Sequence, residues 1–260
     1  MATAQLRTSR WVPSRWVPGP EGDERVYFGA VRPAEQDPGE PQAFIVRLPP
    51  GHEGLRVHFH PVDQFQVFVS GSGTFGQHQI RSGLAHYSDA LTPYGPLRLG
   101  PDGASFMTLR HQADFDIQHM PDKAAQLAEL RSRSPRSGPA KRRNLTADLC
   151  AQGPPGTWMQ TMADDDGLRI ATRALGPGEP VPPLSVTAPG AYVLLVAGAL
   201  KAARETLGPG ALAWLTPDLY QLAPASAGPD GADLALLQFP SLPSDLETSR
   251  AFLAERARSA

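Results

Sequence analysis

The chain repeats itself. Moving 127 positions along carries Gly51 onto Gly178 and Gly71 onto Gly198, and the turn Gly100-Pro101-Asp102-Gly103-Ala104 returns one residue further on as Gly228-Pro229-Asp230-Gly231-Ala232. Between the glycines the apolar positions persist: Val57, Phe59, Phe65 and Val69 become Leu184, Val186, Tyr192 and Val196. The polar positions do not persist, because His58, His60, Gln64 and Gln66 map to Ser185, Thr187, Ala191 and Val193. A period this long, with turns and apolar alternation kept, means two copies of one domain. The second copy keeps the pattern that folds and loses the side chains that do chemistry.

Each copy must be built from short strands. With 28 prolines and 25 glycines in 260 residues, long helices are disfavoured and tight turns are frequent. In the first copy the apolar runs Ala43–Leu48, Val57–His60, Phe65–Val69, Thr74–Ile80, Ala90–Thr92 and Ser105–Leu109 are separated by turn signals, which is the grammar of an all-β sandwich or barrel. Two helices are expected, at about 122–131 and, from the capping pattern Ser244-Asp245-Leu246-Glu247, at 245–258. The domain expectation is an N-terminal arm over 1–24, a first barrel over 25–131, a linker over 132–156, a second barrel over 157–242 and a C-terminal helix over 243–260. The arm holds a tandem pentamer, Arg10-Trp-Val-Pro-Ser then Arg15-Trp-Val-Pro-Gly, whose prolines call for extended chain. The linker is basic (Arg131, Arg133, Arg136, Lys141, Arg142, Arg143) and is expected to be solvated.

Chemistry concentrates between Gly54 and Gly71, in GLRVHFHPVDQFQVFVSG. Strict alternation puts Arg56, His58 and His60 on one face of a strand and Val57 and Phe59 on the other. After a Pro61-Val62-Asp63 turn, a second alternating run delivers Gln64 and Gln66. Two imidazoles on one strand face, with an amide from the next strand, outline a metal-ligand set. The alternatives stay open: His58 and His60 can be buried hydrogen-bonded histidines, and Gln64 can orient an imidazole rather than ligate.

These residues resemble the cupin superfamily. In its first motif an H-x-H is followed by a glutamate and then a glycine; here His58-Phe59-His60, Gln64 and Gly71 stand in that frame, with Gln in place of Glu. The second motif is degraded: Pro93-Tyr94-Gly95 is present, but Arg98 stands at the expected histidine and Tyr87 at the expected glycine. A second frame starting at Gly83 brings His86 onto the strand entering the site. Extended over nearly the whole chain, the likeness is to a bicupin, two antiparallel jelly-roll-like barrels with a degenerate second barrel.

The resemblance implies one divalent transition metal in the first barrel, iron first and nickel, manganese, zinc or copper as alternatives, on His58, His60, Gln64 and His86. It implies a metal-dependent enzyme, in the first place a dioxygenase. The alternatives are a redox-neutral isomerase or lyase and a non-catalytic sensor or storage cupin. His86 is a third ligand, an acid–base group or a plain strand histidine. Arg98 clamps a substrate anion or pairs with Asp89 or Asp63, and Tyr94 closes over the pocket or shapes the turn. An amide in place of the carboxylate leaves the metal charge unbalanced, so a small anionic, chelating substrate is expected.

Composition narrows the partners. A net charge of −2 and a pI near 6.4 give no polyanion-binding field, so nucleic acid is not an expected partner. No run is apolar enough to span a bilayer and the first residues lack a signal-peptide core. The single cysteine, Cys150, fits a reducing compartment; a cytoplasmic protein, with a homodimer possible, is the expectation. Phosphate-binding loops, nucleophile elbows and HExxH are absent from the sequence, and Asp164-Asp165-Asp166-Gly167 reads as a hairpin turn.

Overall fold

The computed structural model describes residues 15–19, 22–29, 40–114, 116–136, 142–150, 153–154, 156–202, 205–217 and 225–259. The chain forms two compact units: one holds the described residues of 148–241, the other those of 15–147 together with 242–259. Arg10 and the first pentamer, like Lys141, lie outside the described residues. No helix among the described residues is long and apolar enough to cross a membrane.

In the larger unit, β1 (Arg15–Gly19), β2 (Gly22–Phe28), β3 (Gln42–Leu48), β4 (His58–Phe59), β5 (Gln64–Phe75), β6 (His78–Gln79), β7 (Leu84–Ser88), β8 (Leu97–Arg110), β9 (Gln118–His119) and β10 (Asn144–Asp148) are joined by antiparallel pairing. The main sheet runs β1-β2-β3-β8-β5-β7-β10, with β6 on β5 and the short β4–β9 pair apart from it. The second pentamer is therefore extended, as β1, and pairs with β2 from Arg15↔Val26 to Gly19↔Gly22. Two helices belong to this unit: α1 (Ala124–Arg133) and α2 (Leu246–Ser259). They begin and end within two residues of the spans read from the sequence. Ser244 Oγ accepts the Leu246 N–H at 3.2 Å where α2 begins. Phe59 points outward from β4 and packs with Leu91, Leu127, Leu130 and Phe252, fixing the back of the histidine strand under both helices.

Inside this barrel the strand period of two sorts side chains by depth. On β3, β5, β7 and β8 the inward positions run from polar to apolar: Gln42 to Phe44, Val46 and Leu48; Gln64 and Gln66 to Phe68; Ser88 and His86 to Leu84; Arg110 and Thr108 to Phe106. One end of the barrel is thus a buried polar chamber, and the other is an aromatic and aliphatic plug.

The smaller unit repeats the plan with β11 (Met159–Ala163), β12 (Arg169–Leu175), β13 (Ala191–Ala202), β14 (Glu205–Leu207), β15 (Leu212–Leu215) and β16 (Ala225–Gln238), in the order β11-β12-β16-β13-β14 with β15 on β13. The duplication is visible in its irregularities. The β5–β8 register slips between Phe68 and Ser70 and between Gly71 and Gly73; the β13–β16 register slips between Leu195 and Ala197 and between Gly198 and Leu200. Asp164–Gly167 is the β11–β12 turn, closed by Gly167 N–H donating to Asp164 O at 3.1 Å.

Two expectations need correcting. Residues 184–187 take the parity opposite to the one the 127-residue shift predicts: Leu184 and Val186 join the core with Val193, Leu195 and Leu236, while Ser185 and Thr187 are exposed. This segment follows Pro182-Pro183 and is not a laddered strand, so no sheet register fixes its facing. The arginine run after α1 is not a solvated connector either. Arg136 is buried against Asp63 at 2.6 and 2.7 Å, Arg142 reaches Asp245 at 3.1 Å, and Arg143 holds Asp89 at 2.8 Å. Three carboxylates buried to 1% exposure each require a cation, and this run supplies them.

Candidate metal centre in the first barrel

The backbone sets the frame. His58 exchanges two backbone hydrogen bonds with Tyr94 (3.2 and 3.0 Å) and also pairs with His119 across β4–β9. Gln64 opens β5 and lies opposite Arg110 of β8 on one side and Ser88 of β7 on the other. His58, His60, Gln64 and Arg110 are all at most 5% exposed.

Each imidazole is anchored by one nitrogen. His58 Nδ1 donates to the Arg56 carbonyl at 2.7 Å, and His60 Nδ1 donates to the Asp114 carboxylate at 2.5 Å. That fixes both tautomers, leaving the lone pair of each ring on Nε2. The rings stand edge to face, centroids 5.4 Å apart and planes at 89°. Burial, and then the neighbouring His60 ring, push His58 down to about 3, and burial followed by the Arg110 charge lowers His60 as well. Both rings are therefore neutral near pH 7, which is the ligating form. Burial pushes the Asp114 carboxyl up, but the His60 N–H donated to it and the Arg110 charge outweigh this and hold it below its ordinary value.

Arg110 stands in the middle of this chamber. Its Nε donates to Gln64 Oε1 at 3.0 Å, and its Nη1 donates to Gln42 Oε1 at 2.8 Å and to the Asp114 carbonyl at 2.5 Å. Its Nη2 lies 3.2 Å from His60 Nε2 and 3.3 Å from Nδ1. Gln64 in turn donates through Nε2 to the Tyr94 hydroxyl. The Tyr94 ring fills the space between His58, His60 and His86, with centroid separations of 4.4, 6.3 and 5.4 Å.

The sequence-selected residues thus divide. His58, His60, Gln64 and Tyr94 converge. His86 is deeper on β7, opposite Gln66, its ring 4.7 Å from Phe75; its Nδ1 and the Gln66 Oε1 have no hydrogen-bond partner among the described residues. Arg98 is not brought in: it is exposed at the other end of β8 from Arg110, opposite Thr74. Nor does it hold Asp63 or Asp89, which pair with Arg136 and Arg143. Arg110, Asp114, Gln42 and His119 enter the site without having been singled out. Only Arg110 carried a local signal, as the next inward position after Phe106 and Thr108 on an alternating run.

The donors this chamber could offer a divalent cation are His58 and His60, two buried imidazoles tied through Nδ1 and so carrying their lone pairs on Nε2. Gln64 contributes less, since Arg110 already occupies its carbonyl. Among the described residues no third imidazole, thiolate or carboxylate joins these two rings at ligating distance; the one such cluster is Asp164–Asp166 in the β11–β12 turn. In the second barrel the inward positions equivalent to Gln64, Gln66 and Thr108 are Ala191, Val193 and Leu236, all within its apolar core.

No protein-family model matches the sequence, and no curated protein matches it. Solved structures do. A proposed dioxygenase from Nostoc punctiforme PCC 73102 superposes with a TM-score of 0.54 at 12% identity, over 90% of this chain and 79% of that one. Pirin YhhW from Escherichia coli, in complex with nickel(II), gives 0.52 at 10% identity over 90% and 98%. The 11S globulin of Wrightia tinctoria, which has an auxin binding site, gives 0.54 at 12% identity over 92% and 85%. All three are cupin-fold proteins. With two antiparallel barrels, a doubled pattern of bulges and a histidine pair inside the first, this chain has the bicupin fold.

Proposed function

We propose that the first barrel is a metal-dependent cupin site acting on a small anionic, chelating organic molecule, with dioxygenase chemistry as the leading reaction and iron as its metal. The observation that supports it is the pair of anchored imidazoles: His58 and His60 are buried, neutral, and tied through Nδ1 so that both keep Nε2 for a cation. The metal would supply Lewis-acid and one-electron chemistry. The protein's own residues do the rest. Arg110 offers a guanidinium fork to the substrate anion, and Asp114 holds His60 in the ligating tautomer. The Tyr94 hydroxyl, which accepts from Gln64, would be placed to exchange a proton with an oxygen atom of the substrate. Phe68, Phe75 and Phe106 close the far end of the barrel against water.

Among the described residues no carboxylate joins His58 and His60 as a donor, which favours an anionic substrate, because a divalent ion beside Arg110 otherwise has no counter-charge in contact with it. The experiment is oxygen uptake by iron(II)-loaded protein over a panel of carboxylates and their neutral amides. Uptake with the acids, lost in His58→Ala, is the expected result. Equal turnover of acid and amide, or no uptake and no retained metal with any acid, overturns the proposal.

A second reading has its own support. The chamber's hydrogen bonds are largely closed among Gln42, His60, Gln64, Tyr94, Arg110 and Asp114, as suits a site that binds without reacting. Ligand binding by metal-free protein, without turnover, would select it.

A further inference from the structure

In the geometry described above, a fixed positive charge stands against the ring a metal needs. The His60 Nδ1–H is committed to Asp114, so the neutral ring has one lone pair, on Nε2, and the Arg110 Nη2 lies against the ring, 3.2 Å from Nε2 and 3.3 Å from Nδ1. A divalent cation on that lone pair would share a buried chamber with the guanidinium charge, which repels it. The same guanidinium takes Gln64 Oε1 through Nε at 3.0 Å. Two of the atoms a metal would draw on therefore face a residue that never loses its charge.

Resting on the metal reading of this barrel, we propose that Arg110 is a resident cation standing in for the metal. A divalent ion then binds well only together with an anion that takes over the guanidinium's hydrogen bonds. The charge count supports this. Arg110 and Asp114 sum to zero; a divalent ion alone leaves the buried chamber at +2, and a chelating dianion restores neutrality. The geometry supports it too. Arg110 is held by β8 directly opposite Gln42 of β3 and Gln64 of β5, so the fork is built into the barrel wall and cannot leave it cheaply. An anion with two oxygens bridges the metal and the guanidinium and lets the fork turn from His60 without going unpaired. Arg110 thereby sets specificity: it refuses bare metal and selects the metal–substrate pair.

The test is nickel(II) affinity, measured by competition with a chromophoric chelator and corrected for the nickel–malonate complex. Wild-type protein should bind nickel at least tenfold more tightly with malonate than without. Arg110→Gln should bind nickel at least tenfold more tightly than wild type with no malonate, and Arg110→Lys should behave like wild type. Adding His58→Ala to Arg110→Gln should abolish the gain. If wild type binds nickel equally with and without malonate and Arg110→Gln binds no more tightly, the placeholder role is wrong while the metal site stands. If no form binds nickel under either condition, the metal reading falls and takes this inference with it. Should Arg110→Gln fail to fold, the wild-type comparison with and without malonate decides alone.

Discussion

His86 is 4% exposed and its Nδ1 finds no hydrogen-bond partner among the described residues. Burial, and then the charge of nearby His78, push it down to about 3. The unfolded chain protonates this imidazole below about 6.5, whereas the folded barrel keeps it neutral down to about 3. In that window the unfolded state binds more protons, so stability rises with pH and is lost as pH falls. Replacing His86 with Gln should remove about 1.4 kcal/mol of that loss per pH unit between pH 5.5 and 4.5. Urea unfolding of both proteins at the two pH values checks it; parallel curves would mean His86 is protonated inside the barrel. At this scale the histidine pair was legible and its neighbours were not. His58 and His60 announce themselves by spacing. Asp114 sits 54 residues from the ring it anchors and Arg110 sits 46 residues from Gln64, so no local pattern links either to the site.

Among the elements, the long central strand pairs β5–β8 and β13–β16 carry the fold, and each depends on a glycine. Gly71 has φ +111°, and a Cβ there would overlap the Gly103 carbonyl oxygen and Ala104 Cα; Gly198, at φ +75°, would meet Gly231 O and Ala232 Cα in the same way. Alanine at either position should destabilise its barrel by about 1–3 kcal/mol from the backbone conformation alone, read as a lower denaturation midpoint. An unchanged midpoint would mean the bulges yield. A second element-scale dependence is the Asp63 node. Asp63 accepts from both Arg136 nitrogens and from the Ala90 N–H at 2.9 Å, and Arg136 Nε donates to the Pro243 carbonyl at 2.7 Å, so one ion pair fastens the segment before α2 to the turn after the histidine strand. Asp63→Ala takes from the buried guanidinium its two shortest hydrogen bonds, leaving it Asp245 Oδ2 at 3.3 Å from Nε, and should cost about 1–3 kcal/mol. A loss below about 1 kcal/mol in chemical denaturation would show that Asp245 alone holds Arg136 in place.

For the whole molecule, the duplication separates folding from chemistry. Both copies keep the bulges and the turns, but the second fills its interior with Ala191, Val193, Leu195, Leu234 and Leu236 where the first carries Gln64, Gln66, Phe68, Phe106 and Thr108. Aliphatic walls offer a cation nothing. Protein loaded with nickel in the presence of malonate should therefore retain at most one equivalent per chain, and none in His58→Ala. Elemental analysis after desalting measures it, and two equivalents would place a second site outside the first barrel.

The sequence by itself determined the class of fold, the number of copies and the strand that carries the imidazoles, because these follow from period, turn chemistry and alternation, all of which act over a few residues. Only the tertiary structure decided what surrounds those rings. Which cation meets a buried carboxylate, and which side chain fills a barrel's centre, depends on residues brought together from 46 to 103 positions apart. Thus Arg110 stands in the chamber, Arg98 lies outside it, and an arginine run that reads as solvated turns inward. Burial makes an unpaired charge costly wherever it lies along the chain, and that cost is settled in space rather than in sequence.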